Sequence, residues 1–319
     1  MTEVHDPDPG GYLALRRGAA VVAGAHDLVW VAGSGAVDFL DNLLSQSISS
    51  IGVGRGARSL LLSPQGKMRA TLWVLKDADR IGLVTDAGRG EVVIGDLTRF
   101  KIRVDVSLTL EDRPVVDVWG PGAAAALETA GVNPPGLGEW IDTDGLMVAW
   151  VPFTRSALPR FVVAGVPIDD LERAGLPVSG RDAAVAVRIE AGEPVMGIDI
   201  DERTIPQEAD VVADAVDFEK GCYLGQELLA RIDSRGRVNR YLRGLVIDST
   251  VVPPVGSKVF SADRALGELS SVGESHELGA PVALALLRRE AEPDHQVSIR
   301  WDGGSASARV VTLPLDESL

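Results

Sequence analysis

Apolar and polar positions alternate along the first two thirds of the chain in an order that predicts strand, glycine turn and helix in succession. Residues 28–31 form a short apolar run, a Gly-Ser-Gly turn follows, and apolar residues then recur at helical spacing from Ala36. The same order returns at residues 115–130, and looser copies lie at 81–100 and 161–174. The repetition predicts a duplicated α+β unit, and periodicity alone leaves open whether its sheets are parallel or antiparallel.

A β-hairpin is predicted between residues 60 and 75. The apolar residues 60–62 and the residues 68–75 have strand character, and Ser-Pro-Gln-Gly-Lys between them is rich in turn formers. We therefore expect two adjacent antiparallel strands here.

A helix is predicted from near Ser179 to the residue before Gly192. Its residues 183–189 are almost all apolar, so we expect it to be buried nearly all round. Glu190 lies on the same surface, where a carboxylate is unfavourable unless another group pairs with it. Two explanations are open: an ion pair with an arginine from elsewhere in the chain, or a bound ligand with N–H donors.

The C-terminal quarter has a different pattern of apolar and turn-forming residues. From residue 242 onward, short apolar runs are separated by turn sequences such as Pro-Pro-Val-Gly at 253–256 and Asp-Gly-Gly at 302–304. This spacing predicts a small antiparallel β-barrel or sandwich over residues 242–319. Residues 1–241 then hold the duplicated α+β part, whose two halves we expect to interleave.

Charge and composition narrow the range of functions. The chain has 319 residues and a formal net charge of -15, and a field of that sign repels nucleic-acid phosphates and anionic lipid surfaces. We therefore expect neither a nucleic-acid nor a membrane partner. The four histidines are scattered without metal-ligand spacing, so a metal site is not expected.

The number of cysteines and the first residues of the chain indicate the cellular compartment of the protein. Cys222 is the only cysteine, which excludes an internal disulfide and an internal four-thiolate cluster site. The chain starts with an acidic segment that contains Pro and Gly, and no run near 20 apolar residues occurs. These features predict a cytoplasmic protein.

The densest motif surrounds this cysteine. The signature segment, residues 219–227, reads Glu-Lys-Gly-Cys-Tyr-Leu-Gly-Gln-Glu and sets the thiol of Cys222 beside Lys220 between two glycines. From the residues alone, the thiol can be a small buried hydrophobe beside a solvated lysine, or a group whose ionisation the ammonium favours. The segment resembles the signature of the YgfZ family. That resemblance implies a folate-binding protein that supports the maturation of iron-sulfur enzymes.

A second stretch resembles the wider fold family of the glycine-cleavage aminomethyltransferase. It comprises Arg-Ile-Glu-Ala-Gly at 188–192, Gly-Ile-Asp-Ile-Asp-Glu at 197–202, and Pro206. The resemblance implies an α+β fold with duplicated ferredoxin-like folate-binding domains of the antiparallel kind, followed by the C-terminal barrel. It also implies that Glu190 holds the pterin, whose adjacent N–H and NH2 groups suit a carboxylate acceptor.

The same resemblance bears on catalysis. Transfer of a one-carbon unit to tetrahydrofolate needs a carboxylate near the reacting nitrogens, and in the aminomethyltransferase it is implied to belong to paired aspartates. The aligned positions in this chain are Ala70 and Thr71. We therefore expect a binding protein rather than an enzyme. The alternative is a folate-dependent aminomethyltransferase, methyltransferase or demethylase that acts on a small amine or a carrier protein.

Five arginines lie close together after the signature segment in an otherwise acidic chain. They are Arg231, Arg235, Arg237, Arg240 and Arg243. They can form a solvated loop, a cradle for the glutamate tail of folate, or a docking face for an acidic partner. Arg231, which closes the motif, is the one that we expect at the site.

The sequence thus predicts a protein that binds tetrahydrofolate or a one-carbon derivative and assists iron-sulfur client enzymes or assembly proteins. The expected folate-binding residues are Glu190, Arg231, Tyr223 and Gln226, and the expected functional groups are Cys222 and Lys220. The thiol can act on a folate-bound one-carbon unit, exchange with another thiol, or donate one ligand to a shared cluster. We expect the side chains of Glu190 and Cys222 to face one pterin-sized hollow.

Overall fold

The computed structural model describes residues 9–235 and 238–315. For residues 232–235 it describes the backbone only. Helices and strands alternate up to residue 235, and strands alone follow from Arg240. The helices are α1 (Pro9–Arg17), α2 (Ala36–Asp41), α3 (Gly90–Thr98), α4 (Ala123–Thr129), α5 (Ile168–Arg173), α6 (Arg181–Glu190), α7 (Pro206–Ala209) and α8 (Gln226–Arg235). The strands are β1 (Ala20–Ala23), β2 (His26–Ala32), β3 (Arg55–Leu62), β4 (Met68–Lys76), β5 (Arg80–Asp86), β6 (Ser107–Leu110), β7 (Val115–Trp119), β8 (Trp140–Thr143), β9 (Leu146–Trp150), β10 (Arg160–Ala164), β11 (Arg240–Asp248), β12 (Lys258–Ser261), β13 (Arg264–Ser275), β14 (Ala280–Arg288), β15 (Gln296–Trp301) and β16 (Gly304–Val311).

The first sheet has the strand order β3-β4-β5-β2-β6, and its strand pairs are antiparallel. This pairing resolves the alternative that periodicity leaves open. β3 and β4 form the predicted hairpin, with Leu61 opposite Ala70. Leu40 of α2 and Val93 of α3 pack with Leu83 on one face of the sheet.

The second sheet has the order β1-β7-β10-β9-β8 and is also antiparallel. α4 and α5 cover it, and Leu127 and Leu171 pack against Val118 and Phe161. The predicted strand, glycine turn and helix at residues 115–130 are therefore confirmed. β1 precedes β2 in the chain but joins this second sheet, so the two α+β units interleave.

The two sheets pack against each other through the faces that their helices leave free. Leu28 and Trp30 of the first sheet share an apolar cluster with Trp140 and Val162 of the second. Each sheet is thus covered on one face by helices and on the other by its partner. Burial on both faces explains why the central strands are almost continuously apolar rather than alternating.

The C-terminal strands form a closed barrel in the order β11-β14-β13-β12-β15-β16, with β16 pairing back to β11. The predicted α+β fold with a C-terminal antiparallel barrel is confirmed. α6 packs closely against this barrel. A Cβ atom on Gly273 of β13 would lie only 2.9 Å from the Cα atom of Ala186 in α6. The glycine therefore lets helix and barrel approach closely, and it leaves α6 buried as its sequence predicts.

Candidate functional site

Lys220 fixes the signature segment to the first unit. Its ammonium donates hydrogen bonds to the carbonyl oxygens of Asp41, Leu44 and Gln46 at 2.8, 2.9 and 2.8 Å. Carbonyls at and beyond the C-terminus of a helix lack partners within that helix, so a buried ammonium satisfies the end of α2. Burial lowers the pKa of Lys220. The donors of Lys220 are thus directed at the backbone.

Tyr223 and Gln226 continue this attachment. The Tyr223 ring is 7% exposed and packs with Leu60, Leu62 and Met68 of the β3–β4 hairpin. Its hydroxyl is buried without a hydrogen-bond partner among the described residues, and burial raises the pKa of Tyr223 to about 12. Gln226, at the start of α8, accepts a hydrogen bond from the Tyr223 backbone N–H at 3.3 Å.

The two glycines of the signature segment have different roles. Gly225 has φ +84°, and a Cβ atom there would lie 2.6 Å from the carbonyl oxygen of Ser63, so glycine is required for contact with the hairpin turn. Gly221 has no positive φ, and a Cβ atom on it would meet no atom within 4 Å. The fold therefore does not demand glycine at 221.

Cys222 is exposed between these anchored neighbours. Arg231 is exposed on α8, while Arg240 pairs with Glu208 at 3.0 Å. Arg243 lies over the Tyr241 ring at 4.7 Å. The predicted basic cluster can be followed only in part, because the side chain of Arg235 and all of Arg237 lie outside the described residues.

Glu190 lies in a closed pocket of side chains. It is 0% exposed, Tyr12 donates its hydroxyl to Oε1 at 2.6 Å, and Arg16 Nε lies 3.4 Å from Oε2. The Tyr12 hydroxyl also lies 3.4 Å from Ser275 of the barrel. Burial raises the pKa of Glu190. Of the two explanations left open by the sequence, the ion pair with a distant arginine is present.

The surroundings of Glu190 and of the signature segment do not overlap. Glu190 contacts α1 and the barrel, whereas residues 220–226 contact the end of α2 and the β3–β4 hairpin. No described hydrogen bond or ion pair links the two groups. The predicted common hollow between Glu190 and Cys222 has no support in these contacts.

A polar cluster that sequence reasoning missed lies where the two sheets meet the loop after α6. Glu193 lies 3.3 Å from Arg160 Nη2 and 3.6 Å from Arg58 Nη1, and it accepts the Thr154 backbone N–H at 2.6 Å. Burial acts to raise its pKa, but the two arginines and Thr154 outweigh burial and lower the pKa of Glu193 to about 2. The sequence signal for this polar cluster is the presence of charged residues inside apolar strands, such as Arg58 in β3.

Asp86 belongs to the same part of the molecule. It ends β5 beside Thr71 of β4, which donates its hydroxyl to Asp86 Oδ2 at 3.1 Å, and the Met196 backbone N–H donates at 2.9 Å. Burial raises the pKa of Asp86. Ala70, the other residue at the aligned aspartate positions, is buried and apolar. A carboxylate is therefore present beside Thr71, although it comes from the neighbouring strand.

Two classes of site are not found in the described part of the chain. Over residues 9–235 and 238–315, no group of His, Cys, Asp or Glu is arranged to hold a metal ion. None of the helices described there has the length and apolar character needed to cross a membrane.

These elements define a protein with the aminomethyltransferase fold. The crystal structure of glycine cleavage system aminomethyltransferase T from Bartonella henselae matches with a TM-score of 0.85 at 23% identity and covers 96% of this chain and 88% of that chain. Residues 240–316 match the family described as Glycine cleavage T-protein C-terminal barrel domain.

Sequence relatives extend over nearly the whole chain. An aminomethyltransferase of Streptomyces avermitilis is 27% identical in an alignment of 336 positions that covers 95% of this chain and 88% of that protein. A tRNA-modifying protein YgfZ of Enterobacter sp. strain 638 is 23% identical in an alignment of 299 positions that covers 91% of each chain. The predicted resemblance to YgfZ and to the aminomethyltransferases is confirmed.

Proposed function

We propose that this chain is a tetrahydrofolate-binding accessory protein of the cytoplasm that supports the assembly or repair of iron-sulfur enzymes, with Cys222 as its functional thiol. The observation that carries the proposal is the construction of the signature segment. Lys220, Tyr223 and Gly225 are tied to the first unit, and Cys222 between them is exposed. A thiol held in a fixed, exposed position is suited to contact with a second protein.

Lys220 acts in this proposal as a positioning residue. Its three carbonyl contacts direct the ammonium toward the end of α2, and its side chain is only 5% exposed. It therefore supports the thiol by holding the loop rather than by contacting the sulfur. The chemistry of the thiol stays open among action on a one-carbon unit, thiol exchange and donation of a cluster ligand.

Several polar groups near this segment suit a reduced folate. The Tyr223 hydroxyl is buried without a partner among the described residues, Gln226 follows it, and Arg231 on α8 suits an anionic glutamate tail. The sequence predicts Glu190 as a pterin contact, but ligand binding there requires Tyr12 or Arg16 to move. When bound, the folate would supply the one-carbon chemistry, and these residues would orient it.

The YgfZ relative is named as a tRNA-modifying protein. The net charge of -15 on this chain is unfavourable for direct binding of a polyanion. We therefore propose that any link to tRNA modification passes through an iron-sulfur client enzyme rather than through contact with tRNA.

The thiol is tested by complementation of a bacterial strain that lacks its own YgfZ-type gene. Cys222→Ala and Cys222→Ser are expected to lose the restoration of iron-sulfur enzyme activity, while Glu219→Ala, an exposed change in the same loop, is expected to retain it. All variants should melt at the same temperature as the wild type. Full restoration of iron-sulfur enzyme activity by Cys222→Ala would show that the Cys222 thiol has only a structural role.

A folate-dependent aminomethyltransferase is the second candidate. The relative from Streptomyces avermitilis favours it, because the similarity covers 95% of this chain. The discriminating measurement is a turnover assay with tetrahydrofolate and an aminomethylated or methylated donor. Repeated formation of methylene-tetrahydrofolate from the aminomethylated donor, or of methyl-tetrahydrofolate from the methylated donor, would favour the enzyme, and stoichiometric binding without turnover would favour the accessory protein.

A further inference from the structure

Buried carboxylates in the described part of this protein have a cationic or titratable partner, with one exception. The partnered ones are Asp96 with Arg69 at 2.7 Å, Asp117 with His26 at 2.9 Å, Glu190 with Arg16 at 3.4 Å, Glu193 with Arg160 at 3.3 Å, Asp199 with Arg188 at 2.7 Å and Glu208 with Arg240 at 3.0 Å. No described arginine, lysine or histidine pairs with Asp86. Because an unpaired buried carboxylate is unfavourable, this position needs another explanation.

The hydrogen bonds of Asp86 leave one carboxylate oxygen available. Thr71 Oγ1 at 3.1 Å and the Met196 N–H at 2.9 Å both donate to Oδ2. No described hydrogen bond ends on Oδ1, and Asp86 keeps 8% of its surface exposed. Each oxygen of a carboxylate accepts about two hydrogen bonds. Oδ1 is therefore open to a donor from outside the chain.

Neighbouring charges do not fill this role. His26 and Glu193 are the titratable groups that act on Asp86 electrostatically, and both have partners of their own. The His26 ring nitrogen Nδ1 lies 2.9 Å from Asp117, and Glu193 is held by its two arginines. The missing donor is consequently not supplied by either of them.

Met196 connects Asp86 with the signature segment. Its backbone N–H contacts Asp86, and its side chain lies in the same apolar cluster as the Tyr223 ring. Asp86, with its open oxygen, thus contacts Met196 directly, and Tyr223, with its unpaired hydroxyl, belongs to the same apolar cluster as Met196. A ligand with N–H donors at one edge and a hydrogen-bonding group at another matches this pair.

We propose that Asp86 is the carboxylate of the folate site, with Oδ1 accepting an N–H group of the pterin and Tyr223 bordering the same ligand. The inference rests on the proposed folate-binding function and specifies its recognition residue. Glu190, which the sequence favoured for this role, then has the structural task of joining α1, α6 and the barrel.

The test is a calorimetric titration of the full chain with tetrahydrofolate, and with 5-formyltetrahydrofolate as an oxidation-stable probe. Asp86→Asn keeps an oxygen for Thr71 and Met196 but removes the charge, and the loss of one charge-assisted hydrogen bond should raise Kd about 10- to 100-fold. Asp86→Ser is a second variant without the carboxylate, in case one of them folds poorly. Asp96→Asn is the matched control, a buried carboxylate paired with Arg69 at 2.7 Å whose loss should leave Kd within about threefold.

The outcomes separate the two proposals. Weak binding by the two Asp86 variants with unchanged binding by Asp96→Asn supports the assignment. Wild-type affinity in a folded Asp86 variant overturns it and leaves the proposed function intact. The absence of binding by the wild-type chain overturns the proposed function itself, and the assignment of Asp86 with it.

Discussion

Glu190 and Asp86 are both buried carboxylates whose pKa is raised by burial, yet their surroundings differ. Side chains from α1 and the barrel close around Glu190, whereas Asp86 receives one hydroxyl and one backbone N–H on a single oxygen. Glu190 Oε2 has no hydrogen bond among the described residues but is paired with Arg16, whereas Asp86 has no cationic partner and no described hydrogen bond on Oδ1. Burial alone therefore does not identify a ligand-binding carboxylate. The number and kind of partners that the carboxylate has within the chain distinguish a structural carboxylate from one that can bind a ligand.

The largest effect is expected from Glu190→Ala. The substitution deprives Arg16 of a buried partner and the Tyr12 hydroxyl of its acceptor, and we expect a loss of about 3 kcal/mol in the free energy of unfolding. Urea denaturation measures it, with Tyr12→Phe as a control that should lose only about 1 kcal/mol. A change below about 1 kcal/mol for Glu190→Ala would contradict the structural role of this carboxylate.

Gly225→Ala should come next, because it affects the scaffold beneath the thiol. The positive φ and the contact of 2.6 Å between a Cβ atom and the Ser63 carbonyl oxygen predict destabilisation by about 2 kcal/mol. Gly221→Ala is the matched control in the same segment, and it should change stability by less than about 0.5 kcal/mol. Equal effects of the two substitutions in thermal melts would refute the distinction between these glycines.

Lys220→Met is expected to cost about 1 to 2 kcal/mol, since it leaves the carbonyls of Asp41, Leu44 and Gln46 without their buried donor. Lys258→Met, an exposed change on the barrel, is the control and should be nearly neutral. The rate at which a maleimide reagent labels Cys222 provides a second readout. If Lys220 positions the loop, the rate changes in Lys220→Met and stays constant in Lys258→Met.

The smallest effect on stability, but one with a defined sign, is expected for Asp86→Asn. The folded-state pKa of Asp86 lies above its usual value near 3.8, so the wild type loses stability as pH rises from that value through the raised pKa. Asparagine does not titrate. The unfolding free energy of Asp86→Asn relative to wild type should therefore increase as pH rises above about 4. A relative stability that falls over this range would contradict the unpaired state of Asp86.

Much of the fold follows from local patterns. The hairpin at residues 60–75, the strand-turn-helix at 115–130 and the apolar helix α6 depend on residues close together in sequence, where turn chemistry and periodicity act directly. The barrel follows from short strands and turns in the same way. The antiparallel arrangement of the two sheets, by contrast, could be predicted only from the family resemblance.

The candidate site was harder to predict because its contacts are long-range. Tyr12 reaches Glu190 across 178 positions, and Lys220 reaches the Asp41 carbonyl across 179, so no local pattern reveals either partner. The sequence expected Lys220 to act on the neighbouring thiol, but its ammonium is bound to backbone carbonyls. Asp86 carries a weak local signal, a carboxylate at the end of an apolar strand, and only the tertiary fold shows that it lacks a cationic partner.

The most direct test of the account is a crystal structure of the full chain with bound tetrahydrofolate or 5-formyltetrahydrofolate. We predict a pterin N–H donor within about 3 Å of Asp86 Oδ1, with the Tyr12 and Arg16 contacts of Glu190 unchanged. A pterin bound to Glu190 after displacement of Tyr12 or Arg16, with Asp86 untouched, would contradict the account.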